Sequence, residues 1–182
     1  MLLVLIVALA AALAGRLRGG SFASLAATSF RAPYLLWAGL AIQIAADLWA
    51  PEWLGSGGAL AVILATNALV AGFLALNHSL PGMVVAAVGM TLNVVVIAAN
   101  GAMPVWLAAA EQADVKITDL GIKHEPLDDG TLLPWLADVI PVPGLATLIS
   151  VGDVVLAAGI GWFVYRRMLA RDEGARSPAA SD

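Results

Sequence analysis

SVGDVV, residues 150–155, opens the last long apolar stretch of the chain and sets a carboxylate, Asp153, in a segment otherwise suited to lipid. What surrounds that carboxylate depends on the solvent the chain is built for, and composition decides the solvent. Of 182 residues, 61% are hydrophobic and 12% are charged, whereas soluble domains run at about 45–50% and about 25%. A chain this apolar cannot cover itself with polar surface, so the bilayer is its expected solvent. The net charge of −4 and the lack of a basic stripe argue against nucleic acid as a partner. There is no cysteine, which excludes disulfides, thiol catalysis and thiolate metal sites.

A spanning helix needs roughly 20 mainly apolar residues. Segments 33–50, 59–76, 82–99 and 145–165 meet or approach this length, and a shorter one, 1–14, precedes Arg16. A cleaved signal peptide is the competing reading of 1–14, but such peptides carry positive charge before the apolar core, and here it follows. The sequence therefore predicts an all-α fold, a polytopic transmembrane helical bundle of about five membrane helices, as one domain over residues 1–168. Arginine and lysine set its orientation. With the amino terminus outside and the carboxyl terminus cytoplasmic, Arg16, Arg18, Arg31, Arg166, Arg167, Arg171 and Arg176 lie inside, against Lys116 and Lys123 outside. Aromatic residues fit the two boundaries, with Tyr34, Trp37, Trp162 and Tyr165 inner and Trp49, Trp53, Trp106 and Trp135 outer.

The connections differ in kind. Phe22, Leu25, Ala26 and Phe30 fall at helical spacing, so the 15–32 segment is expected along the inner surface. The turns PEWLGSGG and NHSLPG are short and built from helix breakers. The polar tail, residues 169–182, is expected to be disordered. The outer loop, 100–144, is too long to be structureless. Pro104 suits the first position of a short helix through VWLAAAEQA. TLLPWLADVIPVPG is apolar enough to rest on the membrane surface or between helix ends, which makes the loop a roof over the bundle.

Asp153 has polar company at its expected depth. Counted from the outer end of each predicted span, Gln43, Asn67, Asn93 and Asp153 lie six to eight residues in, roughly 9–12 Å at 1.5 Å per residue. Asp47, Asn100, Ser150 and Asp138 sit nearer the outer surface, so the layer reads as a polar funnel opening outward. The side chains can be interhelical hydrogen bonds, worth about 0.6 kcal/mol each, an intersubunit contact, or the lining of a pocket. An aspartate in lipid needs a proton or a partner, and no Lys or Arg lies within the spans, which favours the pocket. In KHEPLDDG, residues 123–130, His124, Glu125, Asp128 and Asp129 lack calcium-loop alternation, and one histidine is few for zinc, so a solvated acidic loop is expected. His78 reads as a helix-end cap. No phosphate loop, G-x-S-x-G or H-E-x-x-H is present, and neither metal nor cofactor is expected.

The motifs NHSLPG, NVVVIAANGAMPV, KH at 123–124, LPWLADVIPVPG and SVGDVVLAAG follow one another in an order that resembles a family of small bacterial integral membrane proteins, the domain of unknown function 5317. The resemblance covers nearly the whole chain to about Arg167. It departs at Ala102, where the family pattern has a second glycine after NG. It implies a bacterial cytoplasmic-membrane protein with no agreed activity. Its motif residues map onto Asn100, Met103, Pro104, His124, Asp138, Ser150, Gly152 and Asp153.

Three functions are compatible with this reading. The first is a binding or transport-type protein whose outward pocket takes a small polar or lipid headgroup ligand on Asp153, Asn93, Asn67, Gln43, Asp47, Asn100 and Ser150. The second is an accessory subunit of a larger membrane complex, or a homo-oligomer, docking through the loop. The third is an outer-leaflet enzyme using His124 with Asp138 or Asp153 as acid and base, which requires those groups to converge. The first is the leading expectation, and the partners it implies are the lipid bilayer and a polar or lipid ligand.

Overall fold

Aliphatic runs without internal proline form helices, and the breakers between them set where each helix stops. In the computed structural model, which describes residues 2–49, 55–115 and 124–170, the order is α1 (Leu2–Leu17), α2 (Phe22–Ala26), α3 (Pro33–Trp49), α4 (Gly55–Leu76), α5 (Met83–Asn100), β1 (Met103–Val105), α6 (Leu107–Gln112), β2 (His124–Pro126), β3 (Ile140–Val142), β4 (Thr147–Ile149) and α7 (Val151–Leu169). The fold is mostly helical. Among the described residues two helices, Gly57–Leu76 and Met83–Asn100, are long and apolar enough to cross a membrane, and Leu2–Leu17 and Pro33–Ala46 are shorter apolar helices.

Small residues decide how closely the helices approach. On α5, a Cβ added at Gly89 would overlap the backbone of Gly152 and Leu156, and one at Gly159 of α7 would overlap Ala86. Backbones therefore touch along an antiparallel α5–α7 seam, where packing of small residues substitutes for side-chain volume. α1 lies parallel to α7, with Gly15 against Met168 and Gly161 against Val7. α3 runs antiparallel to α4, with Gly39 against Thr66 and Val70. The resulting row is α1, α7, α5, α4, α3. Phe73, Leu74, Met83, Met90, Phe163 and Met168 fill its centre. Ile63, Val96, Ile97, Met103 and Leu136 form a second cluster under the loop.

Several boundaries differ from the sequence reading. The last helix begins at Val151, not at 145, and ends at Leu169. Residues 147–149 instead pair antiparallel with 140–142, with Thr147 opposite Val142 and Ile149 opposite Ile140. The fold is mostly helical as expected, and among the described residues the loop adds two small sheets the sequence reading did not anticipate, the second formed by β1 and β2 in parallel, Met103 opposite His124. Pro104 does not open a helix; it sits in β1, and the short helix starts three residues later. Of the inner-surface segment, residues 15–17 finish α1 and only Phe22–Ala26 forms a helix of its own, capped by Ser21. The turn at Asn100 needs only one glycine, because Gly101 takes the left-handed conformation (φ 86) and Ala102 is buried beneath the loop. Lys116, Lys123, Trp53 and the tail beyond Ala170 lie outside the described residues.

At the end of the row that carries Arg16, Arg18, Arg166 and Arg167, Asn77 rather than His78 organises the α4–α5 turn. Its amide donates to Phe73 O and Arg31 O, and its oxygen accepts from Arg31 N. Phe30 packs between the rings of Phe73 and Phe163, at 5.6 and 5.5 Å.

Candidate functional site

The opposite end carries the carboxylates. The β3–β4 hairpin delivers the chain to Ser150, whose extended backbone (φ −93, ψ 168) makes it the N-cap of α7. Ser150 Oγ accepts from Asp153 N at 3.0 Å, and Asp153 Oδ2 accepts from Ser150 N at 3.3 Å. This reciprocal capping box satisfies two amide donors left over by the helix start. It also sets the Asp153 charge in the first turn, where the helix dipole favours an anion. The sequence reading put Asp153 eight residues deep; the later helix start puts it at the third helical position.

Asn93 of α5 closes the arrangement into a ring. Its Nδ2 donates to Asp153 Oδ1 at 2.8 Å, and its Oδ1 accepts from Ser150 Oγ at 2.9 Å. Ser150 is fully buried. The position between them has to be glycine, since a Cβ on Gly152 would collide with the Asn93 amide oxygen. Ser150, Gly152 and Asp153 thus act as one local device that receives one side chain from the neighbouring helix.

This ring borders a cavity of about 160 Å³. Asn67 of α4, Asn93 and Asp153 supply its polar wall; Leu2, Leu3 and Val4 of α1, Met90 and Ile97 of α5, Met103, Leu156 of α7 and the β4 residues Thr147, Leu148 and Ile149 supply the rest. Three of the four side chains expected in one polar layer, Asn67, Asn93 and Asp153, therefore share one cavity. Gln43 does not join them. Its Oε1 accepts from Thr66 Oγ1 at 3.2 Å, and it lines an adjoining apolar groove of about 300 Å³. The side chain of Asp47 lies outside the described part of the structure. Asn100 is also elsewhere: it holds the loop, donating to Leu132 O at 2.9 Å and accepting from Leu132 N at 2.7 Å. It borders a separate cleft with Glu125 and Asp128.

The loop brings a second carboxylate to this end. Asp138 lies beside β1, its backbone bonded to Pro104 O at 2.9 Å and to Trp106 N at 3.2 Å. On the other side of β1, β2 carries His124, and His124 Nε2 stands 3.6 Å from Asp138 Oδ2. Asp138 is 7% exposed, and its Oδ1 has no hydrogen-bond partner among the described residues. Burial, and next the charge of Asp153, push its pKa from 3.8 up to about 7. In KHEPLDDG, Asp128 closes its own turn, Oδ1 accepting from Gly130 N and Thr131 Oγ1. Sequence reasoning missed the β4 residues that wall the cavity, because it assigned them to a helix.

The model of the family described as "Family of unknown function (DUF5317)" matches residues 27–165. The chain belongs to this family. The family match contains the Asn93–Ser150–Asp153 ring, Asn67, His124 and Asp138, and leaves out the α1 residues that complete the cavity wall. An uncharacterised protein of Thermotoga maritima is 31% identical over 109 residues, which are 58% of this chain and 63% of that protein's length. The alignment thus spans less than two thirds of that relative. No solved structure matches the chain.

Proposed function

We propose that this member of the family is a polytopic protein of the bacterial cytoplasmic membrane, whose α1, α3, α4, α5 and α7 cross the bilayer with the amino terminus outside. Its outward cavity binds a small polar ligand or a lipid headgroup. Several features support the membrane assignment. The apolar windows of α4 and α5 are only 22% and 33% buried, whereas a core helix of a soluble protein would be covered all round. Leu5, Leu9 and Leu13 on α1, Val84 and Val88 on α5 and Trp162 on α7 point outward, and so large an apolar surface requires a nonaqueous neighbour. The helix directions alternate as an odd number of crossings demands, and the described arginines gather at the end opposite Asp138 and Asp153.

The observation that carries the binding role is the cavity wall formed by Asn67, Asn93 and Asp153. Asp153 uses two of its roughly four acceptor positions on Asn93 and Ser150, and the rest remain for a donor in the cavity. Native mass spectrometry of the gently solubilised protein, beside Asn67→Leu and Asp153→Asn, tests the role. A small molecule or lipid held by the wild type and lost from both variants is the expected result. Spectra identical across the three, with nothing attached, would overturn it.

A second reading has its own observation. His124 and Asp138 converge, as acid–base chemistry at the outer face requires, and a carboxyl that titrates near 7 is poised for proton transfer. Proton exchange there would be read as solvent-isotope-sensitive turnover of an outer-leaflet substrate, abolished by His124→Gln.

A further inference from the structure

The polar cavity has a neighbour of opposite character. The groove of about 300 Å³ lies along the face that α3 and α4 turn toward Val4, Met90, Leu156 and Ile160, and is walled almost wholly by carbon. The two spaces share Val4, Asn67, Met90 and Leu156 as lining residues, so they adjoin along a common wall. From Asn67 the groove follows α4 to Leu74, seven residues or about 10 Å. Its rim carries Trp37, 66% exposed, and Leu40, 47% exposed, so it opens sideways between helices rather than toward the loop. A cavity of about 150 Å³ holds a benzene-sized molecule; the polar space is therefore sized for a small head, and the groove for a chain.

Building on the binding role above, we propose that the two spaces form one site for a membrane amphiphile, with a protonated amine head at Asp153 and Asn67 and a single alkyl chain lying in the α3–α4 groove. Charge selects the head. Among the described residues no lysine or arginine lines either space, and Asp153 places its negative charge in the wall of the polar one. A phosphate or carboxylate head would meet repulsion there, and a hydroxyl would leave the carboxylate charge unneutralised in a low-dielectric setting. An ammonium brings three donors and a positive charge to the open acceptor positions of Asp153. The chain follows from the shared wall, because a head seated at Asn67 directs its tail along Val70 toward Trp37.

The test uses the full-length protein in lipid nanodiscs and two photoreactive probes, dodecylamine and dodecanol, each with a diazirine at the terminal carbon. After illumination, labelled peptides are mapped by mass spectrometry. The amine probe should label the Leu36–Leu40 and Val70–Leu74 segments saturably, in competition with plain dodecylamine, and the alcohol should not compete. Labelling by the amine should fall about tenfold in Asp153→Asn, the loss of one charge-assisted hydrogen bond. It should fall similarly in Asn67→Leu, which leaves the α7 cap intact. In Val70→Trp, which fills the groove, groove labelling should vanish. Equal labelling by amine and alcohol would mean ordinary bilayer contact and overturn the proposal. Saturable amine labelling confined to residues 132–149 would overturn the groove while leaving the polar binding site standing. No saturable labelling by the amine would overturn the amphiphile assignment, and the native mass spectra would then decide the binding role separately.

Discussion

Asn93 and Asp153 stand 60 residues apart in sequence and are joined by a 2.8 Å hydrogen bond from the amide of one helix to the first-turn carboxylate of another. The oxygen of the same amide accepts a hydrogen bond from the Ser150 hydroxyl, so a single side chain holds both members of a helix cap. The contact fixes α5 against α7 at the end where the cavity lies.

Removing that side chain should therefore cost more than one hydrogen bond. Asn93→Leu leaves the buried Ser150 hydroxyl and the Asp153 carboxylate short of partners, a loss of about 1–3 kcal/mol for each stranded group. Thermal unfolding in mild detergent should show a clear drop, larger than for Thr91→Val, whose hydroxyl only bonds Ala87 O within its own helix. Equal melting of the two variants would contradict the ring.

Gly152 gives a steric version of the same test. Gly152→Ala places a methyl against the Asn93 amide, with backbone on the other side, so the ring must open or the helices must part. Overpacking of this kind costs about 1–3 kcal/mol. Gly144→Ala, where a Cβ meets nothing within 4 Å, should be near neutral by the same unfolding measurement.

Asp138 predicts the pH dependence. Its pKa is raised when folded, from 3.8 to about 7, so the folded protein keeps a proton that the unfolded chain has released. The stability linked to this group is full below about pH 4 and is lost as pH rises through about 7. The charge of Asp153 reinforces the shift, and the charge of the amino terminus opposes it. Unfolding followed from pH 5 to 8 should show the wild type weakening, and Asp138→Asn should be flatter and relatively more stable at pH 8. A wild-type curve that rises over this range would contradict the buried carboxyl.

The sequence made the helices legible because apolar length and arginine placement are local signals. Asn67, Asn93 and Asp153 also came together as read, since polar residues are few enough in such segments for their depths to be compared. Two parts were not legible. IPVPGLATLI has the apolar content of a span, and only the pairing of 140–142 with 147–149, a non-local event, turns it into a hairpin. That pairing moved the start of α7 and changed Asp153 from a mid-helix charge into a capping residue. Gln43 and Asn100 were misplaced in the funnel for a related reason. Depth along a helix says nothing of facing, and Gln43 turns to Thr66 while Asn100 turns to the loop.

The absence of native cysteine makes the most direct measurement simple: reaction of single thiols with a membrane-impermeant maleimide in intact cells. Thr147→Cys puts the thiol in the cavity wall, and Ser29→Cys puts one on the exposed segment at the arginine end. An outward-facing cavity predicts labelling of Thr147→Cys in intact cells, and of Ser29→Cys only after permeabilisation. Labelling of Ser29→Cys in intact cells, with Thr147→Cys protected until the membrane is opened, would contradict it.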